Sequence, residues 1–183
     1  MSDTAEHFLQ LARSFVKWTS RPAESDRIDA ELARLLLASI YAAVLNLPIG
    51  TQPAEPPVSV TDEAWSEVLA RFSRLPFRYY TTIIHPLAYP VEDQVVADVA
   101  DDLATIYRVL QEGVALYEAG APDEAAWHWR FLFDTVAARR TLGALSAIRR
   151  ISAFGVRQRS CRFESADFVG ALRKRRSQAL ELR

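Results

Sequence analysis

Apolar residues recur along most of this chain at three- and four-residue intervals, the spacing of one helix face. Phe8, Leu11, Ala12 and Phe15 predict a first helix starting near Asp3 or Thr4 and ending around "TSRPAESD". A second carries Ile28, Leu32, Leu35, Leu36, Ile40, Ala43 and Val44, with Ser25 or Asp26 as its cap, and stops at Pro48 and Gly50. "PIGTQPAEPPVSV" then reads as a proline-rich linker. Thr61 is a favourable N-cap for a third helix with Trp65, Val68, Leu69 and Phe72 turned inward. The aromatic and β-branched run "LPFRYYTTIIHPLAYP" suits a strand. No other stretch offers it a partner, so an irregular or short helical connection is expected there.

A fourth helix is predicted from about Glu92 to Glu118, with Val99, Leu103, Ile106, Leu110, Val114 and Tyr117 on its apolar stripe. Pro122 at the first helical position opens a fifth, favoured by Asp123 and Glu124 against the dipole and running to about Ala153. Gly155 breaks it, and a last amphipathic helix over 165–180 carries Phe168, Val169 and Leu172. The fold class that follows is all-α, an antiparallel up-and-down bundle of about five to six helices. Residues 1–155 form the bundle domain and 156–183 a basic arm.

Charge sharpens the division. Residues 1–138 hold 10 basic and 20 acidic side chains, whereas residues 139–183 hold 12 basic and 3 acidic ones. An acidic body and a basic arm are self-complementary, so the arm is expected to pack on the bundle or on a second subunit of a homodimer, with another protein as the alternative partner. Nucleic acid is the competing partner for "RQRSCR" and "RKRR", and it is disfavoured by the net charge of −1 and by arginines that point around the whole helix. The lone Cys161 excludes a disulfide framework and fits a cytoplasmic protein. No signal peptide is read at the N-terminus. The longest apolar run, from Leu35 to Ile49, falls short of the roughly 20 residues of a bilayer span, so no membrane partner is expected.

Candidate chemistry centres on "ADDL" and "WHWR". Asp98 and Asp101 point away from the apolar stripe of their helix and are expected to be solvated, while Asp102 lies at its edge and needs a partner. Arg130 sits with Asp134 and Thr141 on a narrow polar line of the next helix, and is expected to pair with Asp134 and to reach Asp102. Where these segments meet, the expectation is either a buried ion pair that fixes helix register or a candidate polar pocket for a charged ligand, lined by Asp98, Asp102, Tyr107, His128, Trp129 and Arg130. Three aspartates on one helix, without an acidic motif on a second, do not make a bundle metal site, and neither metal nor cofactor is expected. No phosphate loop, HExxH, CxxC or nucleophile elbow is present. The expected function is a non-catalytic binding or protein-interaction module; the alternative is a small-molecule or metal-dependent enzyme using the Asp102/Arg130 region.

Three segments taken together, "YAAVLNLP", "VADDLATIYRVL" and "WHWRFLF" with "ALSAI", resemble the bacterial domain-of-unknown-function family numbered 5063. The resemblance runs from the first helix to about Ile148. It implies an all-helical fold and carries no assigned activity and no catalytic residue.

Overall fold

The structure, a computed structural model, describes residues 3–21, 25–49, 51–53, 59–75, 78–85, 87, 89–90 and 94–154. Three helices come first: α1 (Asp3–Thr19), α2 (Asp26–Val44) and α3 (Asp62–Phe72). A small hairpin of β1 (Tyr79–Thr82) and β2 (Val95–Asp98) follows. Then come α4 (Val99–Glu118), α5 (Pro122–Leu132), a π-helical turn at Phe133–Ala137, and α6 (Ala138–Phe154). The compact unit built from these elements spans Met1–Ala153. The expected basic arm, its helix over 165–180 and Cys161 lie outside the described residues.

Helix starts follow their caps. Ser25 accepts the Ile28 amide at 3.3 Å and Thr61 the Ala64 amide at 3.2 Å, each satisfying an amide that the first turn leaves open. Pro122 begins α5. At the end of α4, Gly120 takes φ +88°, and the Ala121 amide reaches back to the Leu116 carbonyl. That left-handed residue is the usual way to turn out of a helix, and glycine adopts it without steric cost.

The centre of this unit is α4, against which α1, α3 and α5 pack. Phe8, Phe15, Leu37, Ile40, Phe72, Leu103, Ile106, Leu110, Trp129, Phe133 and Ile148 are fully buried around it. Burial of each such side chain contributes about 1.5–3 kcal/mol. Trp129 packs against Phe8 in a tilted arrangement, ring centroids 4.9 Å apart, and donates its indole N–H to the Leu110 carbonyl. Its ring lies over Gly113, where an added Cβ would come within 2.1 Å of Nε1. Glycine at that position lets the indole reach the α4 backbone.

Two expectations are corrected. The run at 79–82 is a strand, and its partner is Val95–Asp98, paired antiparallel with Tyr80 opposite Ala97 and Thr81 opposite Val96. The fourth helix begins at Val99 instead of near Glu92, because Asp98 holds an extended backbone and caps it. The residues that read as the first turn of a helix are the missing strand. The fold nevertheless remains an all-α bundle, with this hairpin as its one described departure from helix.

Candidate functional site

Asp98 caps α4 by accepting the Ala100 amide at 2.8 Å, and its other oxygen accepts from Arg78 Nε at 2.7 Å. The Val99 amide in turn donates to the Arg78 carbonyl at 2.7 Å. Asp98 is therefore a pivot between hairpin and helix. Asp101 pairs with Arg140 of α6. Neither aspartate is simply solvated, which corrects the expectation for both.

Asp102 is 3% exposed and paired, as its edge position demands, but with different residues from those expected. Oδ2 accepts the Tyr80 hydroxyl at 2.6 Å and Oδ1 accepts Arg140 Nη1 at 3.0 Å. Burial raises the Asp102 pKa, opposed by the Tyr80 hydrogen bond and the Arg140 charge. Burial, joined by the same carboxylate, also raises the Tyr80 phenol. The cluster ties β1, α4 and α6 together. Both carboxylate oxygens are occupied, and the residue is buried.

Arg130 is placed elsewhere. Its Nη1 donates to the carbonyls of Val44, Leu45 and Leu47, and its Nε to Asp134 at 3.3 Å. The carbonyls at the end of a helix lack intrahelical donors, and a guanidinium there satisfies them while matching the negative pole of the dipole. Arg130 therefore fastens α5 to the end of α2. The expected meeting of Asp102 with Arg130 is replaced by Asp102 with Arg140, one full element later.

His128 is buried beside Glu112 of α4, with Nε2 and Oε2 at 3.5 Å. Glu112 also accepts from the Ser59 hydroxyl at 3.2 Å and the Val60 amide at 3.4 Å. Burial pushes the Glu112 carboxyl up, but the neighbouring His128 imidazole and the hydrogen bonds from Val60 and Ser59 outweigh it, and its pKa is lowered. This carboxylate pins the segment entering α3 onto α4. Trp129 belongs to the core. Tyr107 lines a separate cleft between α1, α3 and α4. The six residues expected in one pocket thus fall into six settings.

Glu112, Arg140 and Tyr80 were not singled out from sequence. For Glu112 a signal existed: it falls between Val109 and Leu116 on one apolar line of α4, where a carboxylate must find donors. A third buried pair was equally silent. Asp29, 5% exposed, accepts from Trp18 Nε1 at 2.9 Å and Arg71 Nη2 at 3.0 Å.

Among the described residues, no group of three or more His, Cys, Asp or Glu is arranged to hold a metal. No helix among them is long and apolar enough to cross a membrane. What the fold and these clusters define is a helical bundle whose buried charges join its elements. The chain belongs to the family described as Domain of unknown function (DUF5063), whose model matches residues 1–153. Among solved structures it is similar to protein BF1032 from Bacteroides fragilis, 13% identical with a TM-score of 0.71, over 84% of this chain and 97% of that one. That likeness shows a shared fold. No curated protein matches the chain.

Proposed function

We propose that this protein is a non-catalytic, cytoplasmic bacterial interaction module that pairs with a second copy of itself through the outer face of α5, the π turn and α6. The observation that carries this reading is the pair Trp127 and Phe131. Their rings stack at 4.7 Å and 12° on the surface, with Phe131 47% exposed. Val136 and Leu142 continue the exposed apolar positions along the same run.

Charge complementarity favours a second copy as the occupant. Arg130 and Asp134, of opposite sign and one helical turn apart, flank Phe131. Two such faces related by a two-fold axis place Arg130 against the partner's Asp134, and the reverse, around a shared aromatic centre. Among the described residues nothing accepts from Arg130 Nη2, so the guanidinium keeps a donor for that contact. Aromatic residues and arginine are the side chains enriched at such interfaces. The cytoplasmic setting is supported by the single cysteine among 183 residues, and the bacterial one by the shared fold of the Bacteroides fragilis protein.

Cysteine cross-linking tests the face. In a Cys161→Ser background, Thr135→Cys is expected to form a covalent dimer with a short bismaleimide, while Asp62→Cys, at the start of α3 and 95% exposed at its side chain, is not. Equal cross-linking at both positions would remove the assignment.

A further inference from the structure

A cleft of about 440 Å³ opens between the end of α1, α3 and α4, within the range of about 300–1,000 Å³ in which small ligands are held. Its walls carry groups of both charges. Arg71 comes from α3 and is held from three sides. Its Nε donates to the Arg21 carbonyl at 2.8 Å, its Nη2 to buried Asp29, and its guanidinium lies over the rings of Trp18 and Phe72 at 5.1 and 4.4 Å. Such a side chain has already lost its rotamer freedom, so ordering it costs a ligand little. Among the described residues, nothing accepts from its Nη1.

Glu67, one helical turn before Arg71, also lines the cleft and forms no hydrogen bond among the described residues. Tyr107 of α4 completes the polar wall. Burial, with the nearby Glu67 charge as a second cause, raises its phenol pKa, so the hydroxyl remains a donor at neutral pH. The cleft therefore presents two donors, Arg71 Nη1 and the Tyr107 hydroxyl, together with one carboxylate acceptor, Glu67. The last turn of α1, at Thr19 and Ser20, adds the negative pole of a helix on the same rim.

We propose that this cleft binds a small zwitterion of the α-amino-acid class, with its carboxylate on Arg71 and Tyr107 and its ammonium on Glu67. A simple anion leaves Glu67 facing it with like charge, and a simple amine faces Arg71. A molecule carrying both charges a few bonds apart satisfies both walls. The site is distinct from the pairing face of α5 and α6 and stands or falls independently of it.

Calorimetric titration of the full chain with each of the twenty free L-amino acids tests the assignment. At least one is expected to bind saturably with Kd below about 1 mM. Its Nα-acetyl derivative and its carboxamide should each bind about tenfold or more weakly, and so should the parent amino acid to Glu67→Gln and to Tyr107→Phe. Both variants alter side chains without hydrogen bonds to the rest of the fold, so their folding is checked simply by circular dichroism. Saturable binding to none of the twenty overturns the proposal. So does undiminished binding to either variant, or a loss with only one of the two derivatives, which would reduce the ligand to a plain acid or a plain amine.

Discussion

The Tyr80 hydroxyl donates to Asp102 Oδ2 at 2.6 Å, and the space it occupies is the space a Cβ on Gly143 would fill, 2.1 Å away. This hydrogen bond and the missing methyl group seat the face of the two-stranded hairpin on two helices, beyond the Arg78–Asp98 contact at its base. An isolated hairpin is marginal in water, so this anchor decides whether the ribbon stays closed.

Removing the hydroxyl strands a buried carboxylate oxygen. Tyr80→Phe is expected to lower stability by about 1–3 kcal/mol in urea unfolding. Amide exchange should rise over Tyr79–Thr82 and Val95–Asp98 well before it rises in α4.

Asp102 gives a pH signature with a definite sign. Its folded pKa is raised, so the folded state binds that proton more tightly than the unfolded chain does. Its contribution is therefore most favourable below the unfolded value near 3.8 and declines as pH rises through the folded pKa. Measured against Asp102→Asn, which cannot titrate, the native protein should lose ground between acidic and neutral pH. A gap that widens in its favour on the same rise would show that Arg140 outweighs burial.

Glu112 should behave in the opposite sense. Its pKa is lowered, so its stabilisation is present above the ordinary value of 4.5 and lost as pH falls through the folded pKa. Glu112→Gln should cost about 1–3 kcal/mol at pH 7, with the difference closing on acidification. Unfolding curves at a series of pH values read both residues at once.

Two glycines separate core from hairpin. Gly113→Ala drives a Cβ to 2.1–2.5 Å from the indole of fully buried Trp129. A cost of about 3 kcal/mol or more is expected, since neither ring nor helix can give way cheaply. Gly143→Ala meets Tyr80 first, at the rim. It should reproduce the exchange pattern of Tyr80→Phe while leaving the core helices protected.

The helices were legible because their signals are local. Ser25, Thr61 and Pro122 each mark a helix start within a few residues. The hairpin was not, because Val95–Asp98 continues the hydrophobic spacing of α4 and its pairing with Tyr79–Thr82 is a long-range fact. The partner of Asp102 was hidden by the π turn. A constant helical period puts Arg130, Asp134 and Thr141 on one line, yet Arg130 and Asp134 are 33% and 55% exposed at their side chains while Thr141 is fully buried. An i→i+5 turn adds about one residue, or about 100° of rotation, to the phase. It turns Arg140 toward α4 and leaves Arg130 on the α2 side. That Asp102 is buried and paired was readable; which arginine pairs with it was not.

Sedimentation equilibrium of the full chain tests pairing through the α5–α6 face most directly. At about 100 µM, the native protein should show a weight-average mass near twice its 20.6 kDa, and Phe131→Asp should return it to the mass of one chain with its helical signal unchanged. A native protein that sediments as a single chain, or a Phe131→Asp variant that remains dimeric, would contradict it.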